Sequence, residues 1–170
     1  MRKTLGILLS ILIVSFISLY PTTACAANDD EVFTSNTTGI SFLAPRSAHI
    51  GQDDLELFCL ETADEQFTFT SVPFNLETTS SATITQSITS LAQSAQLDLT
   101  KAERFETQTQ TMDISVYVQD YKNKGGAMVG TATVRGSSLS FYIVLVVGPK
   151  YGNYGGIMLQ TLEFGPLTLR

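Results

Sequence analysis

The chain has one histidine, two cysteines and no tryptophan, and its ten Lys and Arg residues are outnumbered by 16 Asp and Glu. With His49 the only side chain whose ordinary pKa lies near neutrality, a histidine-based triad or multi-histidine metal site has almost nothing to draw on. The formal charge of −6, with no Lys/Arg cluster to relieve it, repels phosphate backbones and anionic lipid heads, so nucleic-acid binding is not expected. No apolar run reaches the roughly 20 residues that a membrane-spanning helix needs. The longest, Leu5 to Tyr20, stops at Pro21.

That run has the pattern of an export signal. Arg2 and Lys3 form a positive start, Leu5 to Tyr20 an uncharged apolar core, and Ala24-Cys25-Ala26 the small residues of a cleavage site. The expectation is a signal peptide over residues 1–26 and a mature protein beginning near Ala27, outside the cytoplasm, secreted or periplasmic. Two alternatives stay open: an uncleaved anchor, and a lipid anchor on Cys25, although Thr22 stands where a lipoprotein signal usually has leucine. Cleavage removes Arg2 and Lys3 and makes the chain more acidic. It also removes Cys25 and leaves Cys59 alone, so no intramolecular disulfide is expected.

What remains is the size of one domain. Residues 27–38 are polar and read as a flexible lead-in, and residues 39–170 as a single α+β domain. Gly39 to Pro45 reads as a first strand with Ile40 and Phe42 inward and Pro45 ending it. Leu55 to Glu61 and Gln66 to Val72 follow as a hairpin across the acidic turn Thr62 to Glu65. In the former, alternation puts Leu55, Leu57 and Cys59 on one face, where the thiol would be a small buried hydrophobe.

One internal helix is expected from about Thr83 to Leu97. Thr83 to Gln86 has capping-box spacing, and Ile84, Ile88, Leu91 and Ala95 form a single apolar stripe. Its many Thr and Ser residues weaken helix propensity, so it must depend on docking that stripe against a sheet. Strands then return at Met112 to Gln119, Ala127 to Val134 and Leu139 to Val147, with a turn at Lys122 to Gly126 between the first two. The last run is apolar on both faces after Ser140, so it should be the central strand of a three-strand meander. After Tyr151 to Gly156, residues 157–164 favour a short helix and are also long enough for a strand. The expected fold is α+β: an antiparallel sheet of about six strands flanked by helices, in the order βββ-α-βββ-α.

Gly39-Ile40-Ser41-Phe42-Leu43-Ala44-Pro45, the helix between two antiparallel strand groups, and Leu159 to Phe164 together resemble the PsbP-like family. That family includes the extrinsic photosystem II protein, a Ran-binding nuclear transport factor and DcrB-like exported proteins. The resemblance covers most of the mature chain and rests on structural motifs. The chain departs from it at Arg46 to His49, which has no tryptophan. The resemblance implies a PsbP-like fold and a role in binding or assembly, with partners that differ between members.

The residues themselves give little catalytic chemistry. His49 falls in an expected loop, and Asp53-Asp54 and Asp64-Glu65 in expected turns, where paired acids usually solvate the surface. Asp53, Asp54 and Glu56 lack the twelve-residue calcium loop and its terminal glutamate. Gly148 to Gly156 matches neither a P-loop nor a dinucleotide fingerprint. No cofactor, metal or catalytic residue is therefore assigned. Tyr151, Asn153 and Tyr154, set among glycines, are the candidate partner-binding residues, since tyrosine offers rigid amphipathic contact area. The functional expectation is an exported, non-catalytic binding or assembly module whose partner is another envelope or extracellular protein. The alternative is a carboxylate- or thiol-dependent extracytoplasmic enzyme.

Overall fold

A computed structural model describes residues 29–120 and 125–165. The expected signal peptide, the Cys25 anchor and most of the turn after Tyr121 lie outside the described residues. The fold is α+β and antiparallel throughout. Five strands come first: β1 (Asp30–Thr34), β2 (Ile40–Pro45), β3 (Ala48–Asp53), β4 (Phe58–Thr62) and β5 (Phe67–Asn75). Helix α1 (Ser81–Ser94) follows, then β6 (Glu103–Gln108), β7 (Met112–Gln119), β8 (Gly126–Val134) and β9 (Leu139–Val147). A 3-10 turn (Pro149–Tyr151), helix α2 (Tyr154–Thr161) and β10 (Glu163–Phe164) close the order.

The strands form two sheets, a seven-stranded one in the order β3-β4-β5-β9-β8-β7-β6 and a three-stranded one in the order β1-β2-β10. Strand β9 is central, as its two apolar faces require, and β7-β8-β9 is the expected meander. The β4–β5 hairpin also forms as expected. Its turn places Glu65 at φ 55°.

Alternation assigns the two faces of the large sheet. Phe58 and Leu60 of β4, Phe67 and Phe69 of β5, and Phe141, Ile143 and Leu145 of β9 point to one side and are fully buried. There they meet Ile40 and Phe42 of the small sheet and Met158 and Leu162 of the α2 segment in one continuous core. Phe42 and Phe69 lie 4.3 Å apart, centroid to centroid. Within this sheet β8 and β7 approach so closely at Gly130 that an added Cβ would stand 2.1 Å from the Ser115 carbonyl oxygen. Only glycine fits there.

Helix α1 lies on the opposite side. Three of the four expected stripe residues face the sheet: Ile88, Leu91 and Ala95, but not Ile84, pack with buried Ala92 and Leu97 against Ala127 and Val129 of β8, beside Tyr117 and Val144. The cap, however, is Ser80, whose hydroxyl accepts the Thr83 N–H at 3.1 Å. The helix therefore starts before the Thr83 box and ends before Leu97.

The described residues form ten strands where about six are expected, the additional ones being the edge strands β1, β3 and β6 and the two-residue β10. Edges carry polar and charged side chains that block pairing with other chains, and this erases the apolar alternation by which strands are recognised. Residues 30–34 are thus not a flexible lead-in but are paired along β2. Residues 157–164 contain both readings: α2 begins earlier, at Tyr154, and Glu163–Phe164 pairs with β2 as β10.

Candidate functional site

The glycine-rich segment after β9 was expected to present Tyr151 and Tyr154 to a partner, and the structure turns both rings inward. They are 6% and 7% exposed and stand edge-on to Phe67 at 6.2 and 5.7 Å. Gly152 and Gly155, next to them in the chain, are buried as well. The Tyr151 hydroxyl is 3.1 Å from Ser47 Oγ. The Tyr154 hydroxyl donates to Asp30 on β1, and burial, followed by Asp30, holds its pKa far above that of free tyrosine. Asn153 is exposed, between two rings that serve the core.

The acidic pairs are occupied in the same structural way. Asp53 accepts from Ser35 Oγ at 2.5 Å and from the Asn36 N–H at 2.9 Å, joining the β1–β2 turn to β3. Asp54 accepts from Gln52 Nε2 and from the N–H groups of Glu56 and Leu57 at 2.7, 2.8 and 2.9 Å. These bonds, Gln52's first, lower its pKa. Asp64 is held down to about 2 by the Thr62 hydroxyl and then Lys150, whose ammonium is 3.0 Å away. His49 is not in a loop: Ala48 anchors β3 inward, and His49 projects on the strand's other side with Nε2 3.6 Å from Glu61 Oε1. Among the described residues no three His, Cys, Asp or Glu side chains gather as a metal site.

Cys59 also departs from expectation. Phe58 and Leu60 take the inward positions of β4, Leu55 is a loop residue 78% exposed, and Cys59 is half-buried on the side of the sheet that carries α1. Its thiol lies 4.0 Å from Thr70 Oγ1. Burial raises its pKa, Thr70 works against that shift, and Glu61 adds to it. A raised pKa leaves little thiolate and argues against a reactive nucleophile.

The register that buries Phe58, Phe67 and Phe69 brings Glu61, Cys59, Thr68, Thr70, Val72, Val144 and Val146 onto the α1 side. Helix α1 seats on β8 and reaches Val144, but its packing does not extend over β4 or β5. Thr68, Thr70 and Cys59 are only half-buried, and Val146 is exposed. Where α1 leaves the sheet, a cleft of about 410 Å³ opens between Val72 and Tyr142 on the floor and Thr83, Gln86, Ser87, Ser90 and Leu91 on the helix. Tyr142 is fixed there by stacking on Phe74, 4.1 Å away at an interplanar angle of 20°. The motifs considered in the sequence did not point to this place. Its one sequence signal is an absence: from Thr78 to Leu97 the chain has no charged side chain.

No family model matches the chain, and no curated protein matches it. Among solved structures it is similar to a protein of Bacteroides thetaiotaomicron, with 11% identity and a TM-score of 0.44 over 81% of this chain and 49% of that one. It thus spans about half of that protein's length. It is also similar to cyanobacterial PsbP (CyanoP) from Synechocystis, with 11% identity and a TM-score of 0.43 over 84% of this chain and 94% of that one. Among the described residues no helix is long and apolar enough to cross a membrane.

Proposed function

We propose that this chain is an exported binding or assembly module that recognises another envelope or extracellular protein through the α1 side of its large sheet. The observation that carries this reading is the uneven covering of that sheet. One face is sealed by the small sheet and α2, while the other is left open over β4, β5 and half of β9. That open face mixes hydroxyls with apolar side chains, Thr68 and Thr70 beside Val72, Val144 and Val146, a composition suited to an interface that must also be stable in water. The export pattern of the first 26 residues and the acidic charge support the same setting. The enzyme alternative gains nothing from the site, where the paired carboxylates cap turns and the lone thiol has a raised pKa.

Site-specific photo-crosslinking in the native host tests the proposal. A photoreactive residue at Thr70 should give a discrete adduct with one protein, and the same residue at exposed Glu31, on the small sheet, should not. Identical adduct patterns from both positions, or none from Thr70, would contradict it.

A further inference from the structure

The seven-stranded sheet ends on β6, and two hydrogen bonds fix which of its backbone groups face outward. The Thr109 N–H donates to the Met112 carbonyl and the Arg135 N–H to the Thr111 carbonyl, both at 2.9 Å. In an antiparallel ladder successive residues turn their N–H and C=O alternately to one neighbour and to the other. Thr107, Phe105 and Glu103, in phase with Thr109, therefore bond to β7, where Phe105 lies opposite Val116. Arg104, Glu106 and Gln108 turn theirs to the open edge, where no strand lies beside β6 among the described residues.

Charge blocks pairing at an edge where like signs meet. Strand β6 carries both signs on one face. Arg104 lies opposite Tyr117 on the α1 side, with Nη2 2.7 Å from Oε1 of Glu106 and 3.4 Å from Ser115 Oγ, and both charged side chains are exposed. Phe105 points to the other side, half-buried at the rim of the main core. The edges β3 and β1 differ. The pairing of β3 shifts between Ile50 and Gln52, and β1 carries Asp30 and Glu31 with no cation.

We infer that β6 is a self-association edge that pairs antiparallel with β6 of a second copy, about a two-fold axis at Phe105. Geometry and charge select this register together. Outward-facing groups bond only to outward-facing groups, so Arg104, Glu106 and Gln108 meet even-numbered residues of the second copy. One such register sets Arg104 opposite Arg104, and another sets Glu106 opposite Glu106. The register between them sets Arg104 of each chain opposite Glu106 of the other, a square of alternating sign, and brings the two Phe105 rings side by side. Opposite charges and aromatic pairs directly across an antiparallel ladder are both stabilising. The flanking pairs, Glu103 with Thr107 and Ala102 with Gln108, contain no like charges. A two-fold contact must be complementary to itself, and this one is. It lies at the opposite end of the sheet from β3 and β4 and does not depend on the recognition face.

Sedimentation equilibrium of the purified mature chain tests this at about 0.15 M salt, where the overall negative charge is largely screened. A reversible dimer is expected below about 100 μM. Arg104→Glu and Glu106→Arg each set like charges opposite one another in both pairs, and each should weaken self-association by about tenfold or more while the far-ultraviolet circular dichroism stays unchanged. Mixed in equal amounts, the two variants restore opposite charges at both pairs and should form a heterodimer as tight as the parent dimer. Should one single variant fail to fold, the other and the double exchange Arg104→Glu with Glu106→Arg carry the test, because the double exchange also restores both pairs and should dimerise like the parent. A parent that stays monomeric to about 100 μM, single variants as dimeric as the parent, or a mixture or double exchange that stays monomeric would overturn the inference.

Discussion

The two faces of the seven-stranded sheet are built from the same strands and do opposite things. On one, five phenylalanines, Phe42, Phe58, Phe67, Phe69 and Phe141, are fully buried between the sheets. On the other, Ala92, Leu97, Ala127 and Val129 are the buried set beneath a single helix, and β4 and β5 are left open. Large aromatic side chains contribute most of the burial energy in such a core, so stability is concentrated on the first face. The difference teaches that the same strands can seal one face with aromatic rings and leave half-buried side chains open on the other. The tyrosines near the C-terminal helix, despite their glycine-rich setting, belong to the stabilising face.

The largest effect expected from this contrast is at Phe69, between Phe42 and Phe58. Phe69→Ala should lose about 3–5 kcal/mol by urea denaturation, as transfer and cavity costs combine. A loss below about 1 kcal/mol would show that the aromatic layer does not hold the molecule together. Tyr154→Phe sharpens the comparison at a residue once expected to face a partner. It removes the bond to Asp30 that fastens β1 to α2 and should cost about 1.5–3 kcal/mol, the range for a hydrogen bond to a charged group. An unchanged unfolding midpoint would return Tyr154 to the surface.

On the other face the numbers should be smaller. Ile88→Ala, in the half-buried stripe of α1, should cost about 1 kcal/mol, since only part of the side chain leaves water. A loss equal to that of Phe69→Ala would erase the asymmetry. The smallest effect is in the pH dependence. Asp64 is held at about 2 against its ordinary 3.8, so its contribution is present above pH 3.8 and is lost as the pH falls through about 2. Asp64→Asn should make the fall in melting temperature over that interval shallower. An identical acid limb would show that the Thr62 and Lys150 contacts do not act on folding.

Much of the fold was legible because buried alternation is strong. Strand β9, the β7–β9 meander, the β4–β5 hairpin and the apolar stripe of α1 all follow from which positions must leave water. The edge strands β1, β3 and β6 were not legible, since charge at an edge guards against unwanted pairing and removes the pattern. Cys59 lies on the other face because Leu55 and Leu57, which suggest the opposite phase, precede β4, and within the strand Phe58 and Leu60 are the buried positions. Tyr151 and Tyr154 read as loop residues because glycines surround them, whereas both rings are part of the core. The cleft has no motif, because its floor comes from β5 and β9 and its wall from α1, and only their pairing brings Val72, Tyr142 and Leu91 together.

Phe69 and Thr70 are neighbours in the chain and point to opposite faces of β5, so Thr70→Arg, measured beside Phe69→Ala, tests the central claim most directly. The account predicts that Thr70→Arg unfolds within about 0.5 kcal/mol of the parent, as open surface positions do, while the protein adduct captured from the α1 side is lost. A loss of stability comparable to that of Phe69→Ala would place Thr70 in a second core, and a stable variant that still gives the full adduct would show that recognition lies elsewhere.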